Sequence, residues 1–261
     1  MKKFSIIIPT HKAIEYLNIC LKSLTQINDK HLFEVIVICD GYFSLHEQTL
    51  ELYSKTLDLK VLKFETNRGI ATSINYGAYS AQYETILIMN DDNIAPKYLM
   101  SYIRDITYFY PNNFCISFPQ IEPRPSIFKR TVCKNLGETF NKFDWEAFDE
   151  ISEYNWNGCD KHLGTFPFVI NKKLFMSVGG FSDEFGSKVG FVSDWDFFVK
   201  VSNIVDIKIC NNCYFYHFSQ ISSSEASAKE SEINAHHFFN FKWGRYGKIN
   251  LEQTSYLGYK L

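Results

Sequence analysis

The sequence predicts an α/β fold: a mostly parallel, Rossmann-type sheet flanked by helices, with a small second subregion and a C-terminal tail. Two observations carry the fold class. Short apolar runs alternate with amphipathic stretches from Phe4 to Asn93, the order of a parallel sheet wrapped by helices. The runs are continuously apolar rather than alternating, as expected of strands buried on both faces. A third observation locates the working edge. The run Ile86 to Met89 stops abruptly in Asn90-Asp91-Asp92-Asn93, which places negative charge at the carboxyl edge of the sheet, where open α/β sheets bind ligands.

Each element follows from its pattern. Phe4 to Ile8 is an apolar strand ended by Pro9-Thr10. From Ala13 to Ile27, Ile14, Leu17, Leu21 and Leu24 recur at helical spacing. Phe33 to Cys39 is a second buried strand, broken by Asp40-Gly41; Leu45 to Leu57 reads as a helix and Lys60 to Phe64 as a third strand. Asn67-Arg68-Gly69 is a turn, and Ala71, Asn75, Ala78 and Ala81 then recur at helical spacing before the strand that enters Asp91-Asp92. Residues 96–110 read as a helix, Phe114 to Phe118 as a strand, and Glu122 to Ser126 as a breaker-rich loop. Lys129 to His162 mixes charge and aromatics without a period, as a cover over a site or over the core does. Regularity returns with a strand at Phe166 to Ile170, a helix at Lys172 to Val178, the Gly179-Gly180 turn and a helix at Asp194 to Val205. An aromatic strand precedes His217. There is no repeat, low-complexity tract or linker, so the chain reads as one domain with a tail.

Composition narrows the class. A formal net charge of −2 leaves no polyanion footprint and argues against nucleic acid as a partner. The 24 Phe and 16 Tyr predict a thick aromatic core. The seven cysteines are scattered, and Cys20, Cys39 and Cys115 in apolar surroundings read as reduced core thiols of a cytoplasmic protein. Cys210 and Cys213 with His217 four residues on have the form of half a zinc site, but no second half lies nearby. The Ile-rich run before Pro9 is too short for a signal peptide. No stretch approaches the ~20 apolar residues of a membrane span.

Several residues are suited to chemistry. Asp91 and Asp92 repel each other unless solvated or neutralised, so they suit a hard cation such as Mn²⁺ or Mg²⁺ and the phosphate oxygens it carries. One of them also suits a helix cap, and Asp92 is the expected metal ligand. Asp40 either accepts hydrogen bonds from a base or ribose, or simply forms an Asp-Gly turn. Thr10 and His11 lie on the same sheet edge if the strands are neighbours. Asp194, at a helix start, is kept ionised by the helix dipole as a general base requires, although capping alone also explains an acid there. His217 is either structural or a third, neutral anchor for the metal.

In order and spacing, these pieces resemble a family 2 glycosyltransferase of the GT-A fold, over roughly residues 4–218. SIIIPTHK resembles the opening strand and loop. EVIVICDG resembles the second strand that ends in Asp-Asp-Gly, with Cys39 in place of the first acid. NRGIATSINYGAYSAQYETILIMNDD is similar to the segment leading into the Asp-x-Asp metal motif, here Asn90-Asp91-Asp92 as in rhamnosyltransferase-like members. GTFPFVINKKLFMSVGGFSDEF is similar to the acceptor-side stretch. SDWD matches the Glu-Asp motif with Ser193 in place of Glu, and FKWGRYG is similar to a tail element.

The resemblance implies an inverting transferase that moves a sugar from a UDP-, dTDP- or GDP-sugar to a hydroxyl of a glycan or lipid-linked saccharide. Asp194 is the implied base. On this reading the nucleotide meets Pro9, Thr10, His11, Asp40, Asn67, Arg68, Asn75 and Asp91, and Asp92 with His217 holds Mn²⁺ or Mg²⁺. Residues 1–95 form the nucleotide-sugar half, 96–218 the acceptor-side half and 219–261 a helical tail. Phe140 to Trp156 is expected to form part of the acceptor wall, and peripheral membrane association is expected if the acceptor is lipid-linked. Oligomeric state stays open. Two rivals remain. A sugar-phosphate nucleotidyltransferase needs a glycine-rich loop after the first strand, which PTHKAIEYL lacks. A non-catalytic nucleotide-sugar-binding module draws support only from Asn90 and Ser193.

Overall fold

A computed structural model describes residues 3–125, 131–185, 192–218 and 239–244. Twelve strands and seven helices of these residues are ordered as β1 (Phe4–Thr10), α1 (Ile14–Thr25), β2 (Phe33–Asp40), α2 (Phe43–Ser54), β3 (Leu59–Phe64), α3 (Ile70–Ser80), β4 (Thr85–Ile88), β5 (Asn93–Ile94), α4 (Leu99–Phe109), β6 (Cys115–Ser117), β7 (Gln120–Glu122), β8 (Thr131–Cys133), α5 (Trp145–Ile151), β9 (Cys159–Lys161), β10 (Phe168–Asn171), α6 (Lys172–Ser177), α7 (Ser193–Ser202), β11 (Lys208–Cys210) and β12 (Phe215–His217).

The main sheet runs β3-β2-β1-β4-β10-β6-β11-β9, and β5-β12-β7-β8 form a second, smaller sheet. The predicted α/β class holds: β1 to β4 are mutually parallel. The later half departs from a parallel sheet, because β10 inserts antiparallel between β4 and β6.

Alternation along each strand divides the core. Ile6, Val35, Val37 and Leu87 meet α1, α2 and α4 through Leu17, Leu21, Leu50, Leu99 and Ile103. Ile7, Ile36, Ile38 and Ile88 meet α3, α6 and α7 through Ile74, Ala78, Phe175, Phe197 and Val201. Both faces are thus covered, which is why the strands read as unbroken apolar runs. Cys20, Cys39 and Cys115 are buried within these layers, as are Cys210 and Cys213.

Several rings of the aromatic segment Phe140 to Trp156, expected to form part of the acceptor wall, pack against the core. Phe143 and Phe148 lie under the second sheet against Tyr216, and Trp156 stacks on Phe109 with centroids 5.5 Å apart. No helix of the described residues is long and apolar enough to cross a membrane. The expected helical tail lies outside the described residues except for the helical turn at 239–244, and the ends of EPRPS and FKWGRYG also lie outside them.

Gly77 brings α3 down onto the sheet: a Cβ there would stand 2.6 Å from Ile7 Cγ2 and 2.7 Å from Ile38 Cδ1. Gly77→Val is therefore expected to lower stability by about 1–3 kcal/mol through overpacking. A urea-denaturation midpoint equal to that of the parent would show that α3 shifts at no cost.

Candidate active site

The parallel strands deliver their carboxyl ends to one edge. There the Thr10 hydroxyl donates to Asp91 Oδ2 at 2.7 Å, joining the ends of β1 and β4. Burial, reinforced by the neighbouring Asp92, pushes the Asp91 carboxyl up to about 7. Asp92, only 8% exposed, faces His217 across 3.4 Å from Oδ2 to Nε2. The other ring nitrogen, Nδ1, donates to Glu122 Oε1 at 2.8 Å. Burial alone would lower the His217 pKa, but Asp92 and Glu122 outweigh it and raise it to about 10.

The second sheet builds this cluster. Antiparallel pairing of β12 with β5 sets His217 opposite Asn93, next to Asp92. Parallel pairing of β12 with β7 brings Glu122 alongside. Asn93 is fully buried; its Oδ1 accepts the Asn90 N–H at 3.0 Å, and the Phe218 N–H donates to the Asp92 carbonyl at 3.3 Å. The turn after β4 is therefore held at both ends.

A second network joins the loops after β1, β2 and β3. Asp40 accepts the N–H groups of Arg68 at 2.5 Å and Gly69 at 2.8 Å, one on each carboxylate oxygen. Gly69 adopts φ +92°, open to glycine at low cost, and also donates to Asn67 Oδ1 at 2.9 Å. His11 donates from Nδ1 to the Asp40 carbonyl at 2.6 Å, so its Nε2 is the acceptor for the Asn67 amide at 3.3 Å. The buried His46 donates to the His11 carbonyl at 2.9 Å. Tyr42, half exposed, sets its ring edge-on to His11 at 5.1 Å.

Asp194 lies in the first turn of α7, half-buried, and its Oδ1 accepts the Trp195 N–H at 2.9 Å. Burial holds its carboxyl up at about 6 despite backbone hydrogen bonds. The residue before the helix, Val192, adopts φ +57°, a strained conformation for a β-branched side chain.

The structure thus gathers Thr10, Asp91, Asp92 and His217 in one group and His11, Asp40, Asn67 and Arg68 in another. Pro9 lies within β1. Arg68 enters through its backbone, and its guanidinium makes no ion pair among the described residues. Asn75 joins neither group: both ends of its amide bond the backbone of Phe181, at 2.8 and 2.9 Å. Sequence reasoning missed Glu122, Asn93 and Tyr42. Glu122 sat in what read as a loop, and two- or three-residue strands leave no periodic signal.

Among the described residues no group of three or more His, Cys, Asp or Glu stands ready to hold a metal. Asp92 and His217 offer a carboxylate and an imidazole on facing strands, a donor pair that suits Mn²⁺ or Mg²⁺ when phosphate and water complete the shell. Glu122 orients the ring from behind, as outer partners of ligating histidines do. Cys210 and Cys213 face the apolar core, so His217 and the two thiols do not converge.

Residues 5–149 match the family model described as Glycosyl transferase family 2. An uncharacterised glycosyltransferase of Haemophilus influenzae is 27% identical over 202 residues, covering 76% of this chain and 61% of that protein. The poly(ribitol-phosphate) β-N-acetylglucosaminyltransferase TarS of Staphylococcus aureus is 34% identical over 99 residues, 37% of this chain and 17% of TarS. The chain thus spans less than two thirds of the length of either relative. Solved structures of TarS 1–349, alone and in complex with UDP-GlcNAc, both superpose with a TM-score of 0.63. Their identities are 19% and 18%, over 97% and 98% of this chain and 77% and 78% of theirs. At such identity the likeness is one of fold.

His217 carries a pH signature. Its pKa rises from 6.5 unfolded to about 10 folded, so its stabilising contribution is complete below about 6.5 and is lost as pH climbs through about 10. In protein stripped of divalent metal, the melting temperature is expected to fall across that window, and His217→Gln should flatten the fall. An equal fall in the variant would assign the effect elsewhere.

Proposed function

The chain belongs to glycosyl transferase family 2, and from that premise we propose that it transfers a sugar from a nucleoside-diphosphate donor to a hydroxyl of a glycan or lipid-linked saccharide, with inversion. The observation that carries the reading is the Thr10–Asp91–Asp92–His217 cluster at the carboxyl edge of β1 and β4, within and beside the region matched to the family. TarS has been solved in complex with UDP and with UDP-GlcNAc, which makes uridine diphosphate the first nucleotide to test, ahead of dTDP and GDP.

In this reading Thr10, His11 and the Asn67–Gly69 turn receive the nucleoside, and Tyr42 offers a ring face beside them. Asp40 acts first as the brace of that turn and keeps further lone pairs for a ribose hydroxyl. Asp92 and the Nε2 of His217 would hold Mn²⁺ or Mg²⁺, which when bound offsets negative charge on the leaving diphosphate. For His217 to serve, it must give up the proton that Asp92 and Glu122 stabilise. Asp194 accepts the proton of the acceptor hydroxyl as its oxygen attacks the anomeric carbon, and a single displacement inverts that centre. We place the activity in the cytoplasm, where scattered thiols stay reduced.

Donor binding is tested by thermal shift with UDP, dTDP and GDP, with and without Mn²⁺, since a ligand of the folded state raises its melting temperature. One nucleotide is expected to stabilise only with Mn²⁺, and Asp92→Ala should abolish the shift. No shift with any nucleotide at millimolar concentration would sink the donor assignment.

Asp194→Asn is expected to reduce kcat by ~10²–10⁴-fold, the usual worth of general-base help, with donor affinity retained. The parent rate should rise with pH as Asp194 ionises near 6, because the protonated carboxyl cannot act as a base. Loss of donor affinity together with the rate would instead mark Asp194 as a structural residue.

A further inference from the structure

Two residues beyond Asp194, the same helix buries a second carboxylate. Asp196 has no exposed surface. Its Oδ1 accepts the indole N–H of Trp243 at 2.9 Å and lies 3.0 Å from the Lys242 ammonium. Its Oδ2 lies 3.1 Å from Lys200. Both cations reach further: Lys242 contacts Glu184 at 2.9 Å, and Lys200 donates to the Gly180 carbonyl at 2.7 Å. Phe239 joins the apolar cluster of Phe185, Val192 and Val199, against which Trp195 and Trp243 also pack. The turn at 239–244 is therefore seated on the first turn of α7 by a small core with a buried ion pair inside it.

The placement matters more than the number of contacts. A buried carboxylate tolerates little displacement from its partners, because an unpaired charge there is strongly unfavourable. Asp196 is such a fixed point, one residue removed from Trp195, whose N–H holds Asp194. Val192, strained at φ +57°, belongs to the same apolar cluster and leads into the same turn, and strain of that kind persists only where the surroundings over-determine it. Through Lys200 and Gly180 the network also reaches the Gly179–Phe181 turn, which Asn75 grips from α3.

We infer that Asp196, Trp243 and Lys242 form a positioning latch by which the C-terminal turn holds the first turn of α7, and with it Asp194, in register for proton transfer. The inference rests on Asp194 being the base proposed above. None of the three latch residues need touch substrate; they act through the helix.

The test uses the full chain and steady-state kinetics with donor and acceptor. Trp243→Phe keeps an aromatic side chain, smaller than the indole, and removes the N–H. It is expected to lower kcat by ~10-fold or more, toward the ~10²-fold that a misplacement of about 1 Å costs, with donor KM unchanged and the protein still fully folded at the assay temperature. Asp196→Asn, which weakens the same bonds, should lower kcat at least as far. The losses of the two variants should be less than additive in the double variant, because both act on one network. Parent-like kcat in Trp243→Phe alongside an inactive Asp194→Asn overturns the latch alone. So does a loss of kcat that merely tracks a lowered melting temperature or weakened donor binding. An active Asp194→Asn overturns the base assignment itself. If Asp196→Asn does not fold, Trp243→Phe decides the matter unaided.

Discussion

Two adjacent carboxylates at the end of a buried strand must be compensated, and the architecture of the site follows from that requirement. Asp91 leans on the Thr10 hydroxyl and is pushed toward its protonated form. Asp92 is met by His217, which burial would discharge but which Asp92 and Glu122 together keep charged. A protonated imidazole between two carboxylates is the counter-ion of the metal-free protein. The same ring, turned by Glu122 so that Nε2 faces Asp92, presents a ligand atom once the proton leaves. The register of the small second sheet is what brings His217 and Glu122 beside Asp92.

The group of His11, Asp40, Asn67 and Arg68 is built differently. Its rigidity comes from side chains that satisfy backbone groups: Asp40 on Arg68 and Gly69, Asn67 on Gly69, His46 on the His11 carbonyl. Three loops that follow three separate strands become one surface, because each is tied to its neighbour rather than to water. Asn75 extends the principle across the sheet. Gly180, at φ +63°, approaches it so closely that a Cβ would stand 2.3 Å from Asn75 Oδ1. The Gly179–Phe181 turn is thereby referenced to α3.

Much of this was legible in the sequence, and the rest was illegible for physical reasons. β1 to β4 and their helices were readable because burial on both faces leaves unbroken apolar runs, and Asp91 and Asp92 because a carboxylate pair interrupts such a run. The antiparallel entry of β10 was not readable, since an apolar strand of four residues carries no sign of its direction. Glu122 was hidden among prolines in a strand of three residues, whose partner β12 lies far along the chain. Asn75 was misjudged through its helical spacing beside the site; its actual partner, Phe181, is invisible to local pattern. Nothing local marks Asp196 apart from Asp194; its contact with Trp243 does.

Two of the departures from the resembled motifs, Cys39 and Asn90, place an uncharged side chain where an acid is expected. Cys39 alternates with Asp40 along β2, so only one of them faces the loops; Cys39 lies in the core with its thiol pushed up to about 12 by burial. An acid at that position would be a buried charge with Lys63, its register partner on β3, as the neighbouring cation, and a thiol avoids that charge without taking anything from the Asp40 turn. Asn90 has its side-chain oxygen buried without a partner among the described residues. A carboxylate in its place would add a further negative charge beside Asp91, Asp92 and Glu122, against the single cation of His217. The neutral amide keeps the acceptor atom and omits the charge. At the Asp91–Asp92 turn the charge balance rests on one histidine, and Asn90 adds no further acid to it.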